Sequence, residues 1–170
     1  MLNNLENRLA RHGVFRPDNM MGTTVGTHLV ALRHNADIDN GHILAIGDLE
    51  EYSREVRIAS IPGANTPIGQ LAICGSEEII KDVETHDIFE FYNKSGTLIR
   101  GYRFSQHDIF SVTKNCLVND GAGAAVGQFA TIANGTRMLL SATETGTVIG
   151  RVIAVELESN GDEFVVIQVR

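Results

Sequence analysis

The chain has 170 residues, 43% hydrophobic and 21% charged, with 14 Lys and Arg against 21 Asp and Glu for a formal net charge of −7. That length suits one domain, or one domain with an arm, burying about 70% of its unfolded surface, and its wealth of Leu, Ile and Val argues against a disordered chain. The acidic balance repels phosphate and argues against a general nucleic-acid binder. No apolar run of about 20 residues offers a membrane helix, and the polar opening through Asn3, Asn4 and Glu6 lacks the apolar stretch of an export signal.

Residues 3–12 read as a short amphipathic helix. Leu2, Leu5 and Leu9 share one stripe, Arg8, Arg11 and His12 suit the negative end of its dipole, and Gly13 ends it. Residues 14–22, with Pro17, show no clear period, so residues 1–22 are expected to form an arm outside the core. From Thr23 to Arg170 the pattern is that of a β-rich domain. Strands are expected over 27–32, then over 42–46 after the Asp39-Asn40-Gly41 turn, and over 56–59. Pro62 and Pro67 bracket a loop. The apolar run from Gln70 to Cys74 suits a strand buried on both faces. Residues 76–78 open a segment readable as a helical turn or an edge strand. Residues 87–92 read as a single helical turn before the turn at 93–96. Further strands are expected over 98–104, 108–113, 127–132 and 138–141. A closing hairpin over 147–156 and 163–169 turns at Asn160-Gly161. Low aromatic content, no Trp and 17 Gly fit this grammar, and the expected fold is mainly β, a small sandwich or barrel-like domain.

Candidate chemistry is sparse. His34, Asp37, Asp39 and His42 could cage a metal, but a calcium loop counted from Asp37 needs Gly and Glu where His42 and Asp48 stand. A polar turn is the better reading, and no metal or cofactor is expected. The stretch Asn119-Asp120-Gly121-Ala122-Gly123 is Gly-rich, yet no Gly-Lys-Ser/Thr follows and the spacing is not that of a dinucleotide fingerprint. Trimeric β-proteins that hydrolyse nucleotides use such loops with an Asp, which leaves a small hydrolase as one alternative. Ser111 has no nucleophile elbow, Cys116 has no His near it in sequence, and His86-Asp87 and His107-Asp108 read equally as capped turns. Cys74 and Cys116, in apolar company, read as buried small hydrophobes. The run Glu50-Glu51-Tyr52-Ser53-Arg54-Glu55 reads as a solvated loop. No catalytic residue is assigned and the chain is not expected to be an enzyme. The apolar arm residues Leu2, Leu5, Leu9, Phe15, Met20 and Met21 are the candidate partner-binding residues, because an exposed patch of that size needs a cover. Packing within the chain itself is the alternative.

Three stretches carry a resemblance: Asp39-Asn40-Gly41-His42-Ile43-Leu44-Ala45-Ile46-Gly47; Arg100-Gly101-Tyr102-Arg103-Phe104 with Asp108-Ile109-Phe110-Ser111-Val112-Thr113; and Gly146-Thr147-Val148-Ile149-Gly150-Arg151-Val152-Ile153. They resemble segments of the capsid decoration, or cement, proteins of tailed bacteriophages. Together they span most of residues 39–155 and leave the arm uncovered. The resemblance implies a non-enzymatic β-rich domain on the outer surface of the virion shell, made in the bacterial host cytoplasm. It further implies a homotrimer bound to the major capsid protein, with residues 1–22 as the gripping element and no contact with nucleic acid or membrane. Another head–tail or tail component of the virion is the second alternative.

Overall fold

The computed structural model describes residues 11–78, 88–159 and 161–170. Its strands are β1 (Phe15–Asn19), β2 (Leu29–Arg33), β3 (Ile43–Leu49), β4 (Val56–Ser60), β5 (Leu71–Cys74), β6 (Leu98–Arg103), β7 (Ile109–Thr113), β8 (Phe129–Ile132), β9 (Met138–Ser141), β10 (Val148–Leu157) and β11 (Glu163–Val169). The helical pieces among the described residues are short 3-10 turns, including one at Ile88–Glu90 where a single helical turn is expected. No described helix is long and apolar enough to cross a membrane. The protein is mainly β.

Strands β2 to β6 close into a barrel in the order β2-β4-β3-β5-β6, and the other six form a sheet in the order β1-β7-β11-β10-β8-β9. Within the barrel β2 and β4 run parallel, and the ring closes where β6 returns antiparallel to β2, with Leu29 opposite Tyr102 and Arg33 opposite Leu98. The sheet is antiparallel throughout.

Strand β5 shows why two layers form. Successive side chains point to opposite faces, and all four of its residues are buried. Ala72 and Cys74 face the barrel interior with Val30, Leu32, Leu44 and Ile99. Leu71 and Ile73 join the core shared with the sheet, among Phe110, Val112, Ile132, Ile149, Val165 and Ile167. The continuous apolar run thus marks a strand with no wet face, as its sequence predicts. Five strands leave a narrow bore, and Gly101 keeps it open: a Cβ there would lie 2.8 Å from Leu32 Cδ1 and 3.0 Å from Ala72 Cβ.

The closing hairpin forms as expected. Across its turn Glu158 N donates to Asp162 O at 2.8 Å and Gly161 N to Glu158 O at 2.9 Å, with Gly161 at φ 88°. Gly150 permits the close approach of β11, because a Cβ would sit 2.2 Å from Gln168 O.

The arm expected over residues 1–22 needs correction from residue 14 onward. Strand β1 pairs antiparallel with β7, Phe15 opposite Val112 and Arg16 opposite Ser111, before a register shift brings Asn19 opposite Ile109. Val14, Phe15 and Met20 are buried, and the Phe15 ring packs against Tyr102 and Phe110 at 5.2 and 6.1 Å between centroids. The strand is hidden in the sequence because it is five residues long, carries Pro17 and is interrupted by the shift. Pro is tolerated there because β1 is an edge strand. Of the helix expected over 3–12, residues 3–10 lie outside the described residues, and Arg11 and His12 are not helical.

Candidate functional site

Among the described residues a cluster of polar contacts lies where the N-terminal segment joins the body. The turn before β3 places Asp39 so that its carboxylate accepts from His12 Nδ1 at 2.7 Å and from Gly13 N at 2.9 Å. His12 N donates to Phe89 O at 2.6 Å, and the His12 ring stacks on Tyr92 with centroids 4.7 Å apart. Val14 and Thr113 exchange bonds: Val14 N donates to Thr113 Oγ1 at 3.0 Å and Thr113 N to Val14 O at 3.1 Å. Asn115 Nδ2 donates to Arg11 O at 3.1 Å. Residues 11–14 are therefore clamped by three separate stretches of chain.

Behind the clamp lies a buried amide network. Asn40 donates from Nδ2 to Ser76 O at 2.9 Å, while its Oδ1 accepts from Ser76 N at 3.0 Å and from Asn93 Nδ2 at 3.1 Å. Cys116 donates from Sγ to Asn40 O at 3.3 Å. Gly13 and Gly41 both close on that sulfur, which a Cβ at either position would approach within 2.4 and 2.6 Å. Burial pushes the Cys116 thiol up to about 12, partly opposed by the Thr113 hydroxyl, and burial raises Cys74 as well. Both thiols are free and buried, as their apolar neighbours suggest, and neither is a poised nucleophile.

The four residues weighed for a metal go separate ways. His34 Nδ1 donates to Ala59 O at 3.1 Å, Asp37 Oδ1 accepts from Ser95 N at 2.8 Å, and Asp39 holds the clamp. His42 Nδ1 bonds Thr136 Oγ1 at 3.0 Å, while its buried Nε2 has no hydrogen-bond partner. Burial, with the positive charge of Arg137 and His12, lowers His42 to about 4 against the opposing pull of Asp39. No three described His, Cys, Asp or Glu side chains form a group that could hold a metal ion. Asp108, weighed with His107 for acid–base work, accepts from Met21 N and Ser105 N at 2.9 Å each and so ties β1's exit to the turn before β7. His86 and Asp87 lie outside the described residues.

Beside the clamp opens a cleft of about 440 Å³ lined by Arg11, Phe89, Lys114, Asp120, Arg137 and Glu163 among others. Its cations face carboxylates: Arg11 to Asp162 at 2.7 Å, Lys114 to Glu163 at 2.5 Å and Arg137 to Asp120 at 3.4 Å. The Arg11 guanidinium also covers the Phe89 ring at 4.1 Å. The Gly-rich loop contributes Asp120 through three successive residues of positive φ, Asn119, Asp120 and Gly121. A wall so balanced presents no surplus positive charge to a phosphate.

Of the candidate partner-binding residues, Leu2, Leu5 and Leu9 lie outside the described residues. Phe15 and Met20, at 6% and 2% exposure, serve the chain's own core and offer nothing to a partner. Met21 is 43% exposed beside Val25. A second exposed apolar surface lies on the barrel, outside the residues expected from the sequence. Ile58 and Leu98, 53% and 58% exposed, flank Arg33 in register across β4, β2 and β6, and Tyr52 at the tip of the β3–β4 hairpin is 98% exposed. The signal available was an aromatic residue set in the charge run 50–55. No protein-family model, curated protein or solved structure matches this chain.

Proposed function

We propose that the chain is a structural virion protein that binds the outer surface of the assembled major capsid lattice of a tailed bacteriophage and stabilises the shell against internal DNA pressure. The observation that carries this reading is where the three resembling segments fall. They supply β3 and β6 of the barrel and β7 and β10 of the sheet, so the resemblance covers the framework of both layers and not a single hairpin. A protein that binds the assembled lattice and not its separated subunits raises the free energy needed to part them. Contact is favoured over catalysis by the cleft, whose cations are already faced by carboxylates. The gripping element is the N-terminal stretch with Leu2, Leu5 and Leu9, read as a short amphipathic helix and rooted at the clamp of residues 11–14. Met21 adds an exposed contact. A homotrimer presents three such arms, and effective concentration lets each contact be modest.

The test is to mix the purified protein with expanded, undecorated capsids of the phage that encodes it. Binding with a gain in heat or pressure resistance supports the reading, and failure of either overturns it. Deleting residues 1–10 abolishes binding at an unchanged melting temperature if the arm grips. Retained binding removes the arm from the proposal. Light scattering that returns a monomer mass removes the trimer.

A further inference from the structure

The β3–β4 hairpin combines three properties that its role in the fold does not require. Tyr52 is almost wholly exposed, so its ring contributes next to nothing to the core. Its backbone sits at φ 62°, a region that favours Gly or Asn and is an outlier for a bulky side chain. The tip is nevertheless fixed. Glu50 N donates to Val56 O at 2.9 Å and Ser53 N to Glu50 O at 2.9 Å, while Ser53 Oγ accepts from Glu55 N at 3.3 Å and from Val56 N at 2.9 Å. The Glu50 carboxylate lies 2.9 Å from Arg33 Nε, an ion pair without hydrogen-bond geometry. An aromatic ring is thus presented on a rigid stalk, on a closed barrel, where a flexible polar residue would relieve the backbone.

The surroundings say what such a ring could meet. Leu49, Ile58 and Leu98 are exposed apolar residues of the strands beneath the tip. Among the described residues Asp48, Glu51 and Glu55 enter no ion pair, and Arg54 is the one cation in the run 48–55. Arg57 of β4, opposite Leu49, likewise enters no ion pair, so the rim is negative by a single charge, with Glu51 and Glu55 beside Tyr52 itself. Phosphate-bearing surfaces are repelled, and the same tip of a second copy, carrying the same charges, is a poor match. A basic protein surface with a pocket for an aromatic ring is complementary in both charge and shape. A rigid Tyr ringed by polar residues is the arrangement found at binding hot spots, where pre-organisation lowers the ordering cost.

We propose that the β3–β4 hairpin tip, with Tyr52 as its anchor and Glu51 and Glu55 as its rim, docks into a basic-rimmed pocket on a protein partner. The inference rests on the capsid-binding reading for the identity of that partner, the major capsid protein. The experiment compares wild type, Tyr52→Gly and the double variant Glu51→Lys/Glu55→Lys by co-sedimentation with expanded, undecorated capsids and by thermal melting. Tyr52→Gly keeps or raises the melting temperature, since Gly accepts the positive φ, and weakens binding about thirty-fold, as loss of a hot-spot aromatic does. The double variant weakens binding most at low salt. Wild-type binding with undiminished binding by Tyr52→Gly overturns the inference and leaves the capsid reading standing. No binding by wild type overturns the capsid reading and this partner with it. A lowered melting temperature for Tyr52→Gly assigns Tyr52 to the fold and overturns the anchor.

Discussion

Acidification tests the buried chemistry around the N-terminal clamp most directly. His42 is buried beside Arg137, with one ring nitrogen on Thr136 and the other without a hydrogen-bond partner, and its value falls from the ordinary 6.5 to about 4. The folded chain therefore resists a proton that the unfolded chain accepts. The stabilisation is complete above pH 6.5, declines as pH falls toward 4 and is exhausted below it. A gap of about 2.5 pH units at about 1.4 kcal/mol per unit sets a ceiling of about 3–4 kcal/mol. Burial raises the Glu78 carboxyl, so its protonation favours the fold and works against this loss. The comparison is therefore between wild type and His42→Gln, which keeps a polar group for Thr136 and removes the titration. Urea midpoints at steps from pH 7 to about 4 should fall more steeply for wild type, and the two curves should converge or cross. Parallel curves, or a His42 ring resonance that titrates near 6.5 in NMR, refute the reasoning.

Gly101→Val places methyl groups where Leu32, Ala72 and Val30 already fill the barrel, and urea unfolding should show a loss of about 1–3 kcal/mol. Asp39→Ala removes the acceptor of His12 and Gly13. It should cost about 2 kcal/mol and speed hydrogen exchange at the Gly13 amide while the β10–β11 ladder stays protected. Both thiols should be silent to an aromatic disulfide reagent in the native state and react together on unfolding; a fast-reacting native thiol contradicts their burial.

Much of the strand grammar is legible in the sequence because it is local. The Asp39-Asn40-Gly41 turn, the doubly buried β5 and the closing hairpin each announce themselves within about ten residues. The choice between sandwich and barrel is not local. It depends on β2 lying parallel to β4 and on β6 returning to β2, pairings that no single segment encodes. Strand β1 is masked by Pro17 and by its register shift. The clamp is harder still, since His12, Asp39, Tyr92 and Thr113 come from four stretches that read separately as a helix end, a turn, a helical turn and a strand. Tyr52 was concealed by its company: a charge run reads as solvent-loving, and only the backbone shows an aromatic held where Gly belongs.

The barrel lies in the chain between β1 and β7, so Phe15 waits for Val112 until every barrel strand has been made. On the ribosome β1, the first strand to appear, is therefore placed after the barrel strands that follow it. The barrel can ring itself as soon as β6 reaches β2, whereas β1, first out, is fixed only when β7 arrives. A chain that stops before residue 109 would end as a closed ring trailing an unpaired strand with Phe15 and Met20 uncovered, an edge that invites aggregation. Synthesis that stops short of β7 is thus penalised by the topology itself, because only a chain that includes residues 109–113 has a partner for its own beginning.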